Sequence, residues 1–207
     1  ATRATECSTT GVTPPGSYPL TITYSGDVNH LGAQTSTTLD VVRDGTEIVT
    51  AAEVIGTFGT PVQLQVDRLP ADAVGEVTVT VVGADGTTTV LCRFLAGADQ
   101  GCELPSFLPA GVHELTVTFA GDDNYEGSTS LTELKVDPAP TRISTDATVT
   151  VSYGTAAVVT VNGLPMQATG PVTVRVRPLL AARVPAPGEV LCTFDAADAD
   201  FCTTSAD

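Results

Sequence analysis

The chain has 207 residues and carries 24 acidic side chains against 9 basic ones, a net charge of −15. That balance repels nucleic-acid phosphates and anionic membrane surfaces, so neither is an expected partner, and no apolar run approaches the length that spans a bilayer. Aromatics make up 5% with no Trp, while 19 Gly and 14 Pro punctuate Thr- and Val-rich stretches, a composition suited to strands and tight turns.

In chain order, the first stretch with a clear pattern is Tyr18-Pro-Leu-Thr-Ile-Thr-Tyr-Ser-Gly-Asp-Val-Asn-His30, and it returns as His113-Glu-Leu-Thr-Val-Thr-Phe-Ala-Gly-Asp-Asp-Asn-Tyr125. The offset is a constant 95 residues, pairing Gly16 with Gly111, Leu20 with Leu115, Gly26 with Gly121 and Leu39 with Leu134. A second register at the same spacing links Phe58-Gly59-Thr60 to Tyr153-Gly154-Thr155, Leu69-Pro70 to Leu164-Pro165, and Val77-Thr78-Val79 to Val172-Thr173-Val174. The two registers join into one repeat unit, from about Gly45 to Asp137, near the size of a small β-sandwich.

Within that unit Val62, Leu64 and Val66 share one face of a strand, as do Val77, Val79 and Val81, and Leu115, Val117 and Phe119. Gln63, Gln65, Thr78, Thr80, Thr116 and Thr118 alternate with them and are expected to face water. No stretch of helical length carries a period near 3.6 residues. Roughly seven short strands separated by turn signals predict an all-β immunoglobulin-like sandwich.

The repeat divides the chain into residues 1–42, the C-terminal half of a unit; 43–138, a complete unit; and 139–207, the N-terminal half of another. The chain thus reads as a window on a longer tandem array. Connectors are short, Val41-Val42-Arg43-Asp44-Gly45 and Asp137-Pro138-Ala139-Pro140, the second favouring extended geometry. A five-residue insertion in Pro178–Gly188 of the last copy predicts a lengthened loop. Tyr24 and Tyr153 align with Phe119 and Phe58 and are expected in cores.

Cys92 and Cys102 enclose nine residues, and so do Cys192 and Cys202. One disulfide per repeat explains both pairs, and Cys7, which maps onto Cys102, is left unpaired by the truncation. Zinc is the weaker reading, since neither a CxxC spacing nor a nearby His accompanies the pairs. A repeated disulfide predicts an oxidising location.

The string Phe119-Ala-Gly-Asp-Asp-Asn-Tyr125, with Leu108-Pro-Ala-Gly111 before it and Ser128-Thr-Ser130 after it, resembles the closing half of bacterial Ig-like repeats; Tyr24-Ser-Gly-Asp-Val-Asn-His30 follows the same pattern, with His30 where that family usually has Tyr. The resemblance implies tandem modules of large secreted or surface-anchored bacterial proteins, adhesins and stalks among them. The cysteine pair is not general in such repeats and points to a subgroup.

Asp122, Asp123, Asn124 and Glu126 offer oxygen ligands of the kind Ca²⁺ takes. The first copy keeps only Asp27 and Asn29, with Val28 and Leu31 at the other two places, so a turn built on Asx side chains is the stronger reading and no metal or other cofactor is expected. Asp195, Asp198 and Asp200 read as a solvated hairpin loop. His30 and His113 fall at different repeat positions, and no nucleophile–base–carboxylate pattern accompanies either, so catalysis is not expected. The expected role is a non-catalytic stalk segment at the bacterial cell surface or outside the cell, spacing a distal domain, with neighbouring repeats as its partners. The alternative is a module that binds carbohydrate or a host or matrix protein through loops or edge strands. Against a sugar platform stand the absence of Trp and the presence of only four Tyr.

Overall fold

A computed structural model describes residues 13–176 and 188–204, together with Glu6, Ser8 and Gly11. Among them every regular element is a strand, and there are fourteen. The chain divides into two units, Ala1–Ala139 and Pro140–Asp207. Cys7 and all of the lengthened loop except Gly188 lie outside the described residues.

The first unit opens with a hairpin, β1 (Gly16–Tyr24) and β2 (Ala33–Val41), paired antiparallel as a sheet of its own. A sandwich follows. It contains β3 (Val49–Thr50), β4 (Glu53–Thr57), β5 (Val62–Asp67), β6 (Glu76–Val82), β7 (Thr88–Leu95), β8 (Gly101–Leu104), β9 (Gly111–Phe119) and β10 (Ser128–Asp137). One sheet has the order β4-β10-β9-β6-β7 and the other β3-β5-β8. The period-two pattern drives this packing. Leu64, Val66, Val77, Val79, Leu115, Val117 and Phe119 are essentially without solvent exposure, and Ile48, Phe94, Leu104, Leu108, Leu134 and Val136 close the core around them.

Two details depart from the alternation read in the sequence. Gln63, Gln65 and Thr118 face water, but Thr78, Thr80 and Thr116 are half-buried, because β6 and β9 lie inside the five-stranded order and neighbouring rows shield them. The sandwich also has eight strands rather than seven. Its first strand breaks at Ala51-Ala52, so that β3 pairs antiparallel with β5 in one sheet and β4 pairs parallel with β10 in the other.

Buried hydroxyls hold that switch. Thr132 Oγ1 donates to the Ala51 carbonyl at 2.5 Å, the Glu133 amide donates to Ala52 O at 3.0 Å, and Thr50 and Ser130 share a hydrogen bond at 2.9 Å. Neither Thr50 nor Thr132 belongs to the apolar pattern, yet both are buried, since the bend frees carbonyls that need donors.

The second unit contains β11 (Val158–Thr160), β12 (Pro171–Arg175), β13 (Val190–Asp195) and β14 (Phe201–Thr203), paired β11-β14 and β12-β13. Its pairings reproduce those of the sandwich at the repeat offset. Leu64↔Cys102 corresponds to Val159↔Cys202, and Val79↔Cys92 to Val174↔Cys192; the irregularity after Val79 recurs after Val174. The bridge Ser144↔Asn162 answers Val49↔Asp67. The opening hairpin obeys the same rule, since Gly16↔Val41 and Tyr24↔Ala33 match Gly111↔Val136 and Phe119↔Ser128.

Burial does not follow the alignment. Tyr24 and Tyr153, expected in cores, are exposed, and so are Leu20 and Ile22. In the sandwich β6 pairs along β9, and the core closes over Phe119; among the described residues no strand stands in that relation to β1.

Candidate functional site

The most conspicuous motif, Gly-Asp-x-Asn, forms the connection between paired strands in both places where it occurs. Gly121 has φ +80° and Gly26 φ +85°, and a Cβ on either would meet the backbone of the same turn, 2.7 Å from Gly127 N in one and 2.8 Å from Gly32 N in the other. Only glycine takes that conformation without strain.

Asp122 then organises the turn. Its Oδ1 accepts from the amides of Asn124 (2.8 Å) and Tyr125 (2.9 Å), and its Oδ2 accepts from the Val74 amide at 2.8 Å in the loop before β6. Partial burial alone would push this carboxyl up. The amides of Val74, Asn124, Tyr125 and Gly75 outweigh it and hold the group below its ordinary value of 3.8. Both oxygens therefore serve backbone donors. Asp123, Asn124 and Glu126 are exposed around it, and among the described residues no group of three or more His, Cys, Asp or Glu side chains is placed to hold an ion. Among the four weaker calcium candidates, Asp122 thus directs its carboxylate to the backbone of the turn and of the loop before β6.

Asp27 performs the same service with different donors. Its Oδ1 accepts from the Asn29 amide at 2.8 Å and contacts His30 Nδ1 at 2.8 Å, and its Oδ2 accepts from the Tyr24 hydroxyl at 2.8 Å. The Asn29 amide, then His30, then Tyr24 lower its carboxyl. Tyr24 stands where the sandwich has Phe119, and its hydroxyl supplies the bond that Val74 supplies there.

Two further kinds of polar contact escaped the sequence reading. His113 Nε2 donates to Pro109 O at 2.8 Å, and Tyr18 Oη donates to Pro14 O at 2.8 Å, each across four residues and at equivalent repeat positions. This is the tyrosine-corner contact of immunoglobulin-like sandwiches, with histidine in place of tyrosine in the second copy. The signal was present: both copies keep proline four residues before a ring that carries a donor. Tyr125 is the other. Its hydroxyl donates to Asp72 Oδ1 at 2.6 Å, which raises the phenol above its ordinary value.

The connector before the sandwich is fastened to the same turn. The Asp44 amide donates to Asn124 O and the Glu126 amide donates to Asp44 O, both at 2.9 Å. At the other end of β10 the Phe58 amide donates to Asp137 O at 2.9 Å. The chain therefore enters beside the β9–β10 turn and leaves ten residues along β10, at the opposite pole.

The cysteines pair as expected from their spacing. Cys92 in β7 and Cys102 in β8 join the two sheets, with Cα atoms 6.3 Å apart, and Cys192–Cys202 joins β13 to β14 with Cα atoms 6.0 Å apart. In the acidic loop between the second pair, Asp195 Oδ1 accepts from the amides of Ala197 (2.9 Å) and Gly170 (3.1 Å), another carboxylate employed as a turn anchor.

Two sheets, a parallel first-strand switch, a cross-sheet disulfide and a tyrosine-corner contact converge on one assignment. Residues 49–137 match the bacterial Ig-like domain (group 3). No curated protein matches the chain. The matched range covers β3 to β10, so the Ig-like domain and the sandwich are the same object. Domains of this family are typically non-catalytic, and bacterial Ig-like domains, like disulfides, are typical of extracellular or surface proteins. Asp122 and Asp195 accept from backbone amides, Tyr18 and His113 donate to backbone carbonyls, and the Tyr24 and Tyr125 hydroxyls donate to carboxylates.

Proposed function

We propose that the chain is a stalk segment of a large secreted or cell-surface bacterial protein, in which Ig-like modules run in series and hold a distal functional domain away from the envelope. On this reading residues 1–42 and 139–207 are halves of neighbouring modules around the complete one at 43–138. The observation that carries it is the position of the chain's entrance and exit at opposite ends of β10. A strand of that length spans about 30 Å at roughly 3.3 Å per residue, so each module adds its own length to a series.

The connectors support the same reading. Asp44 is hydrogen-bonded into the β9–β10 turn, and Asp137-Pro138-Ala139-Pro140 favours extended backbone, so bending between modules is limited. Arrays of two, three and four copies of residues 43–138 test this by small-angle scattering. The expected maximum dimension rises by a constant step of about 30–40 Å per copy. Growth as the cube root of mass would overturn the spacer. Saturable, specific binding of these arrays to a glycan or matrix protein would favour the binding-module alternative.

A further inference from the structure

The chain has three asparagines, Asn29, Asn124 and Asn162, and only the last is followed by glycine. Asparagine is chemically labile, because the amide nitrogen of the next residue can attack its side-chain carbonyl carbon and close a five-membered ring. The state of that nitrogen decides whether the ring closes. At Asn29 it belongs to His30 and donates to Asp27 O at 3.4 Å; at Asn124 it belongs to Tyr125 and donates to Asp122 Oδ1 at 2.9 Å. Both nitrogens are therefore occupied, and each sits beside a carbon that bears a bulky ring. At Asn162 the nitrogen belongs to Gly163, which has no side chain and donates to no group among the described residues. The Asn162 side chain has no hydrogen-bond partner among them either, and both residues are exposed.

The fold itself sets up this pairing. Asn162 exchanges two backbone hydrogen bonds with Ser144, its amide donating to Ser144 O at 2.7 Å and its carbonyl accepting from the Ser144 amide at 2.9 Å. The chain then turns at Gly163, with φ +85°, where a Cβ would run into the Arg142 carbonyl. Glycine is thus required next to Asn162. In the complete Ig-like domain the same place in the repeat is Asp67-Arg68. There too both residues are exposed, the second has a positive φ of 63°, and its amide donates to no group among the described residues. The open amide is a property of this turn, and it does not depend on what surrounds the second unit.

We propose that Asn162 is a site of spontaneous deamidation. The Gly163 nitrogen attacks Asn162 Cγ; the new N–Cγ bond forms, the Cγ–NH₂ bond breaks, and ammonia leaves with the proton that the Gly163 amide gives up. Water, the one co-reactant, then opens the cyclic imide at either carbonyl. Opening at the side-chain carbonyl gives aspartate, the residue that the complete domain already carries as Asp67 in its pairing with Val49. Opening at the main-chain carbonyl gives isoaspartate, which routes the backbone through the former side chain and adds a methylene to it. That extra carbon breaks the Ser144–Asn162 pairing and displaces Gly163 from its close fit at Arg142 O. Both products add a negative charge to the second unit, and only the second product loosens it. The inference is independent of the spacer reading.

The test is incubation of the folded 207-residue protein at neutral and mildly alkaline pH, followed by peptide mass mapping, beside Asn162→Gln and a urea-unfolded sample. Replacement of NH₂ by OH is expected at residue 162 well before residues 29 and 124, and faster at the higher pH. Hydroxylamine, which cleaves a chain at such an imide, is expected to cut between residues 162 and 163, and Asn162→Gln to abolish both signals. Asn162→Asp is expected to keep the amide protection of freshly prepared protein at Ser144, whereas the isoaspartyl fraction loses it. Asn162 that stays intact in the folded protein while the unfolded sample converts would overturn the proposal. So would conversion of all three asparagines at one rate, or an isoaspartyl fraction whose Ser144 amide is as protected as before.

Discussion

Asp122 shows how one carboxylate can be necessary without being a ligand or a catalyst. Three backbone amides from two separate loops converge on its oxygens, so replacing it leaves donors unsatisfied at the pole where the chain enters the domain. Asp122→Asn retains one acceptor but turns an NH₂ group toward the Val74 amide, and it is expected to cost about 2 kcal/mol, typical of hydrogen bonds to a charged group. The pH dependence follows from the direction of the shift. The carboxyl is held below 3.8 in the folded domain, so its contribution is fully present above that ordinary value and is lost as pH falls through the lowered folded value. Urea unfolding from pH 6 down to pH 2.5 is expected to give a shallower acid limb for Asp122→Asn than for the wild type. A residual slope should remain from Asp85, which is lowered by the Thr87 amide and hydroxyl. An unchanged limb would remove Asp122 from the account.

At the scale of elements, the first-strand switch and the disulfide tie the two sheets together by different means. The Cys92–Cys102 bridge constrains the unfolded chain by about 3 kcal/mol for a loop of this length, whereas the switch depends on hydrogen bonds inside the native core. Thr132→Val keeps the shape and removes only the donor to Ala51 O. The expected loss is about 1–2 kcal/mol, read as a fall of several degrees in Tm, against little change for Thr129→Val on the exposed face of the same strand. The strands around the switch were largely legible beforehand. Val-x-Val and Leu-x-Val alternation marks a half-covered sheet whatever its neighbours, and the repeated nine-residue spacing of cysteines marks the bridges. Thr132 was not legible, because a threonine that answers a bend's carbonyl looks in sequence like any other strand threonine. Alignment of Tyr24 with Phe119 and of Tyr153 with Phe58 transfers a residue's register but not its burial, which depends on which strand lies over it.

For the whole molecule, these dependencies predict that stability is graded along the chain. β3 to β10 enclose a core with the Cys92–Cys102 bridge across it, while β1–β2 is a two-stranded sheet with an exposed apolar face. An isolated hairpin is marginal in water, since few bonds offset the entropy of ordering it. In dilute solution, amide exchange is therefore expected to show strong protection over 48–137 and weak protection over 16–41. The second unit should lie between them, because Cys192–Cys202 restrains β13 and β14 while the 148–152 segment has no ladder. Reduction of both disulfides should erase protection in the second unit first, as its pairings depend more on the bridge and less on buried apolar area. Uniform protection from residue 16 to residue 203 in the dilute protein would mean that the exposed faces are covered within one molecule, and the gradient would be wrong.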